Sequence, residues 1–481
     1  MANLAAAPEG HLLAHPRTVF QVPDAVDVST TSAFDFDVDV TTGFMPSIPP
    51  ISRLPNEYDL WEDALQAAVD EKLVAGDAPE LTIDDEATSA RWRARVREMA
   101  VLPTDALLHS ETLLRRAHHV LAYLLAFYAH SHPKRDADEE RAGPLRIPAG
   151  IAVPLSTVSR QIGIAPVVTY ADTVLWNWRP ASDDFSASFV GAAPNLNPLS
   201  SSASINPFAA PPSPLTSGSD LPALACLTLF TGLPSEAHFY LTSARIELAS
   251  AHALELMQRI LDELFISDAI ALRRIAVHMN ALARVIDRMT VLLDDMRNGC
   301  DPRDFYESIR PWFRGGEAWG GFDFEGVTDP VERERARMTA GASAGQSSIV
   351  HALDIFLGTP NTTSPFLSKM EYYMPRHHRA FLRHLRALPA HSSLATLVRA
   401  PHTATPVKSA FNEAVLALRR FRDTHIRIAT LYIVSQARRE GDGPVDSVKG
   451  TGGTQLVPFL KAIRDNTART LVPLAGESSE S

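Results

Sequence analysis

An all-α fold is the class this sequence predicts, and three observations carry it. Apolar residues recur at steps of three and four through several long stretches, the period of a helix with one buried face. One stretch, 191–220, breaks that pattern with Pro, Ser, Ala and Asn and almost no charge, and so reads as a divider. The composition, 45% hydrophobic and 21% charged over 481 residues, is that of a soluble globular protein long enough for two or more domains. The expected organisation is a small N-terminal helical domain at 1–190 with an irregular lead-in, then a flexible insertion or linker at 191–222. A large helical domain at 223–470 and a disordered tail at 471–481 follow.

The bulk numbers also exclude. A net charge of −11 opposes nucleic acid as the main partner, because phosphate binding needs a basic surface. Cys226 and Cys300 are the only cysteines, too few for a disulfide framework and without zinc-site spacing, so a reducing cytoplasm is the expected location. No basic segment followed by an apolar core opens the chain, so no signal peptide is expected. The longest apolar run, Val120 to Ala129, is too short to span a bilayer, so no membrane partner is expected.

Taken in order, residues 1–55 are broken by proline and read as irregular. Helices are predicted over Tyr58–Ala75, Ala87–Met99 and Thr104–His130. His118 and His119 are neighbours in the third; adjacent residues cannot share a helical face, so one is expected to pack and the other to be solvated. Arg146–Trp178 alternates apolar runs with Pro and Gly and ends in Tyr170, Trp176 and Trp178, a density that suits either an aromatic helix under a loop or the wall of a pocket for a flat ligand. After the divider come long helices over Cys226–Ile266 and Asp268–Arg297.

Phe305 and Tyr306 then precede Arg310, which can stack on an aromatic or grip a carboxylate with its planar fork. Pro311 limits the helix there. Gly341 to Ser348 is a run of small residues that lets backbone approach another helix or a flat ligand. It lacks the Lys and the preceding strand of a phosphate loop. Lys408–Arg438 carries Phe411, Ala414, Val415, Leu418, Ile428 and Tyr432 on its apolar face, and His425 among them. A neutral imidazole there is either a packed core histidine or a metal ligand. The Gly-Thr-Gly-Gly-Thr run at 450–454 reads as a cover before a short helix.

The ordered set "TYADTVLWNW", "HFYLTSARIE", "DPRDFYESIRPWF", "GASAGQSS", "YYMPRHHRAFL", "FRDTHIRIATLYI" and "KGTGGT" resembles the indoleamine 2,3-dioxygenase family, from about Tyr58 to Thr467, with length and insertion like a fungal-type member. The resemblance implies an all-helical enzyme with a small N-terminal domain and a large heme-binding domain. It implies heme b, ferrous when active, and cleavage of the indole C2–C3 bond of L-tryptophan with dioxygen to give N-formylkynurenine, the first step of the kynurenine pathway and of NAD biosynthesis from tryptophan. It implies a monomer served by a cellular reductant. By the same resemblance His425 matches the proximal iron ligand, and Ser343 and Ala344 match residues lining heme and substrate. Asp354 and Arg422 match an ion pair behind the histidine. Arg310 matches the carboxylate clamp, Phe239 and Ser243 the distal residues beside the indole, Phe305 and Tyr170 further pocket walls, and Thr451 the loop threonine near the ammonium.

Tyr240 and Tyr306 depart from the family by standing where phenylalanine is common, and Ala342 by standing where glycine occurs. Three other readings stay open: a heme dioxygenase of the same fold acting on another indole or only weakly on tryptophan, a non-enzymatic heme protein that senses oxygen, and a helical scaffold with no cofactor in which His425 is a core residue.

Overall fold

A computed structural model describes residues 36–133, 143–181, 221–337, 339–389, 393–440, 450–453 and 455–474. The divider beyond Ala181, the first 35 residues, and the tail beyond Leu474 lie outside the described residues. The longer helices are α1 (Asp59–Asp70), α2 (Ile83–Arg97), α3 (Glu111–His130), α4 (Ala149–Ile162), α5 (Pro234–Ile266), α6 (Ala269–Asp294), α7 (Ser348–Leu357), α8 (Arg376–Arg386), α9 (Thr405–Ala429) and α10 (Leu456–Ala468). Strand structure among the described residues is confined to short pairs. β1 (Leu145–Ile147) runs parallel to β4 (Phe322–Phe324), and β2 (Arg179–Pro180) antiparallel to β3 (Leu224–Ala225). The all-α class holds.

Local chemistry sets the helix ends. Thr82 and Asp85 form a reciprocal capping box on α2, with Asp85 N–H to Thr82 Oγ1 at 3.1 Å and Thr82 N–H to Asp85 Oδ2 at 3.0 Å. Asp268 accepts from the amides of Ile270 (2.8 Å) and Ala271 (2.7 Å) at the start of α6. α5 begins at Pro234 rather than near Cys226, since proline needs no amide partner in a first turn.

Two hydrophobic cores result. The first gathers α1 to α4, the first turns of α5 and the 296–342 region around Trp61, Trp92, Phe127, Phe230 and Trp312. Phe230 stacks on Tyr123 at 4.2 Å and on Trp312 at 5.4 Å. The second gathers the rest of α5 with α6, α7, α8 and most of α9. Both α5 and α9 pass from one core to the other. Tyr240, Ala244 and Leu248 of α5 pack in the first, while Ala249, Ala253 and Leu254 pack in the second. Val415 and Leu418 of α9 pack in the second, whereas Ile428, and Tyr432 just beyond the helix, pack in the first.

Two sequence expectations change here. His118 and His119 are both buried, because residues 116–130 of α3 are covered on every side. His118 Nδ1 lies 2.7 Å from Asp172 Oδ1, and His119 bridges the Asp172 carbonyl (3.0 Å) and the Thr228 hydroxyl (2.9 Å). Each imidazole therefore has its own partners, and neither is solvated. The helix expected to run unbroken to Arg438 instead ends at Ala429 and widens into a π segment over Thr430–Val434. At the C-terminal end, Val472 is pinned by Asn412, which donates to its carbonyl (2.8 Å) and accepts from its amide (3.0 Å). Among the described residues no helix is long and apolar enough to cross a membrane.

Candidate active site

The site is built where α5 and α9 each pass from one core to the other. Phe239, Ser243 and Glu247 follow at steps of four on α5, so they share one face. Phe239 and Ser243 are half-buried, in contrast to the closed core on either side. The Phe239 ring lies 5.0 Å from Phe305, edge to face, and 5.8 Å from Phe313. Phe305 in turn meets Tyr432 at 5.7 Å. Tyr432 follows α9 and donates its hydroxyl to the Cys300 carbonyl at 2.6 Å. A continuous aromatic wall therefore runs from the distal face of α5 to the end of the helix that bears His425. Among the described residues Ser243 makes only a long bond back to the Phe239 carbonyl, 3.4 Å, which leaves its oxygen able to accept from a neighbour.

Arg310 stands at the junction of a π segment (Asp304–Ile309) and a 3-10 turn (Arg310–Phe313). It is half-buried, with its guanidinium 5.3 Å from the centroid of the Tyr306 ring. Tyr306, the departure from phenylalanine, thus supplies the face on which the guanidinium rests. The other added hydroxyl, on buried Tyr240, is held protonated by burial and by the nearby Tyr123 and Glu236.

His425 lies between Leu418, in one core, and Ile428, in the other, and is half-buried. Burial and the nearby Arg422 hold its pKa down to about 4, so the ring is neutral at physiological pH and its lone pair is available. No hydrogen bond to the His425 ring is formed among the described residues. No cluster of three or more His, Cys, Asp or Glu gathers among them either. One lone neutral imidazole is the donor set for a metal already held by a macrocycle, and the residues present fit a single-histidine heme.

Behind His425, Arg422 Nη2 donates to Asp354 Oδ2 at 2.6 Å, and its other nitrogen meets the Thr467 hydroxyl. Asp354 also accepts from Thr359 Oγ1 (2.6 Å) and Asn361 Nδ2 (3.2 Å), so α7, α9 and α10 share one buried network. The small-residue run leads into α7. Ser343 is half-buried and Ala344 exposed. Gly341 is small for a packing reason: a Cβ there would lie 1.7 Å from the Phe313 carbonyl oxygen. Thr451 donates to the Ala342 carbonyl at 2.6 Å, and the Gly341 amide donates to the Thr451 carbonyl at 3.0 Å, so the 450–453 loop is tied to this run. Lys449 and Thr454, which flank it, lie outside the described residues.

Tyr170 is buried and anchored at both ends. Its amide donates to Gln346 Oε1 (2.9 Å) and its hydroxyl to Glu247 Oε1 (2.9 Å). Sequence reasoning singled out neither Gln346 nor Glu247. The available signal for Glu247 was an acid one turn after Ser243 within an apolar stretch.

The family model for indoleamine 2,3-dioxygenase matches residues 32–470. A protein of Aspergillus candidus, "Indoleamine 2,3-dioxygenase acdA", is 30% identical over 454 residues, covering 91% of this chain and 97% of the relative. "Indoleamine 2,3-dioxygenase" of Saccharomyces cerevisiae is 27% identical, covering 89% and 91%. "6-hydroxytryptophan 2,3-dioxygenase fscD" of Fusarium equiseti is 27% identical, covering 93% and 99%.

Proposed function

Because this chain belongs to the indoleamine 2,3-dioxygenase family, and is therefore a heme-dependent dioxygenase, we propose that its substrate is L-tryptophan and its product N-formylkynurenine. The observation that carries the substrate is the pairing of an aromatic wall, Phe239–Phe305–Tyr432, with a guanidinium on the same 304–313 turn. A flat zwitterionic amino acid needs both, and a gas sensor needs neither.

In this reading His425 would hold the heme iron through its neutral ring, and the Asp354–Arg422 pair fixes the helix behind it. Bound heme supplies the iron at which dioxygen is activated. The chain does the positioning. Phe239, Phe305 and Tyr170 wall the indole, excluding water and fixing its C2–C3 edge. Arg310 receives the carboxylate as a charge-assisted pair. Thr451 sits near the ammonium, Ser243 beside the indole, and Ser343 and Ala344 along the heme and substrate face. The reaction asks for no strong general base. Dioxygen as co-substrate, a cellular reductant, a monomeric state and a cytoplasmic location complete the proposal.

A substituted tryptophan is the second reading, prompted by the likeness, 27% identical over nearly the full length, to the Fusarium protein named for 6-hydroxytryptophan. Purified, heme-loaded protein assayed with L-tryptophan and 6-hydroxy-L-tryptophan separates the two. A higher kcat/KM for L-tryptophan, with N-formylkynurenine as product, is the expected result; the reverse order moves the substrate, and no turnover of either removes the enzymatic proposal.

A further inference from the structure

We propose that Glu247 is a positioning residue for the substrate pocket, one whose single carboxylate oxygen fixes Tyr170 and the 341–348 segment relative to each other. The inference rests on the reading of Tyr170 as a pocket wall. Glu247 Oε1 receives the Tyr170 hydroxyl at 2.9 Å and the Ser347 hydroxyl at 2.7 Å. Three separate pieces of chain meet on that one atom: α5, the turn at Tyr170, and the residue that precedes α7. The neighbour of Ser347 completes the frame. Gln346 accepts from the Tyr170 amide at 2.9 Å and donates to the Gly341 carbonyl at 2.9 Å. Tyr170 is therefore held at its backbone by Gln346 and at its hydroxyl by Glu247, which also takes the Ser347 hydroxyl and so ties it to the small-residue run.

The surroundings of Glu247 are unlike those of a stabilising ion pair. It is fully buried, and no Lys or Arg pairs with it among the described residues. Its second oxygen, Oε2, has no hydrogen-bond partner among the described residues. A buried carboxyl in that state costs stability relative to an apolar side chain. What it contributes in return is geometry. It stands one turn after Ser243 and two after Phe239, so the helix face that presents the distal residues also carries the anchor. A wall held to that helix keeps a fixed gap between the Tyr170 ring and the distal face, the dimension a flat substrate reads.

The test uses heme-loaded protein, optical titration with L-tryptophan for Kd, steady-state KM and kcat, and melting temperature and heme content as controls. Tyr170→Phe removes one bond without a cavity and is expected to raise Kd and KM by roughly tenfold, the scale of one lost hydrogen bond, with kcat changed less. Glu247→Ala is expected to do the same, and the double variant to bind no more weakly than Glu247→Ala alone, because both changes break one contact. Glu247→Gln keeps an acceptor oxygen and is expected to bind within about twofold of the parent. If Glu247→Ala does not fold, Tyr170→Phe and Ser347→Ala decide: sharing one acceptor, their combined effect must differ from the product of the two.

Independent, multiplicative effects in a protein that binds tryptophan overturn this inference alone, as does a Glu247→Gln variant that folds, loads heme and yet binds as weakly as Glu247→Ala. A parent protein that loads heme and binds no indole overturns the pocket reading, and this inference with it.

Discussion

The Arg422 guanidinium and the Asp354 carboxylate meet at 2.6 Å with both side chains buried, and Arg422 stands three residues before His425. The pair is bound on all sides, with Thr359, Asn361 and Thr467 taking the remaining bonds. Removing one partner leaves a buried charge. Asp354→Ala is therefore expected to lower stability by about 3–5 kcal/mol, and the double change Asp354→Leu with Arg422→Met to lose less than that. Denaturant titration of the three proteins checks it; equal losses would show that the charge is not the cost.

His425 is expected to separate cofactor binding from folding. Its ring is half-buried and makes no internal hydrogen bond among the described residues. His425→Ala should cost only about 1 kcal/mol of fold stability, while the heme absorption is lost or shifted and turnover ceases. Imidazole added to the variant should restore part of the spectrum. A variant with unaltered heme absorption would return His425 to the core.

Arg310 is expected to read the substrate carboxylate. Arg310→Ala should cost about 1.5–3 kcal/mol in kcat/KM for L-tryptophan, or roughly 10–150-fold. Tryptamine, which has no carboxylate, should be turned over nearly as well by the variant as by the parent. An equal loss for both compounds would assign Arg310 to the fold rather than the clamp.

Glu247 should leave a mark on stability against pH. Burial raises its pKa to about 7 from an ordinary 4.5, against the pull of the Ser347 and Tyr170 hydroxyls. Between those values the folded chain keeps a proton that the unfolded chain releases, so stability falls as pH rises through the window, by a total on the order of 3 kcal/mol. Glu247→Gln cannot titrate. Its melting temperature should decline less than the parent's from pH 5 to pH 8, and parallel curves would contradict the buried carboxyl.

Gly341→Ala tests packing rather than ligand approach. The new methyl would press on the Phe313 carbonyl, which belongs to backbone and cannot swing aside. A loss of about 1–3 kcal/mol is expected even in heme-free protein. A loss seen only with heme bound would place the crowding at the ligand instead.

Much of this was legible in the sequence because helix period is a local signal. The apolar faces of α6 and α9 were visible residue by residue, and the seven ordered motifs singled out His425, Arg310, Phe239 and Phe305. What escaped depends on distant chain. His118 and His119 were read as one packed and one solvated, since nothing local reveals that α3 is enclosed on every side by segments such as Asp172 and Thr228. The pairing of β1 with β4 joins residues 177 apart, as Leu145 with Phe322, and short strands carry little pattern of their own. Glu247 looked like one more helical acid until Tyr170 and Ser347 arrived from elsewhere. The π segment after α9 has no sequence signature that periodicity counts, yet it sets where Tyr432 meets Phe305.

The passage of α5 and α9 through both cores has a consequence for how the molecule comes apart. Neither core owns its own boundary helices, so melting either one withdraws half of a helix from the other. Amide protons along Ala244–Leu254 and Val415–Ile428 are therefore committed to a single opening event, and their exchange rates should converge on one free energy. His425 sits inside that shared unit, and Ser243 immediately before it. Loosening either core, even far from the cofactor, is then felt as a change in the spacing between them.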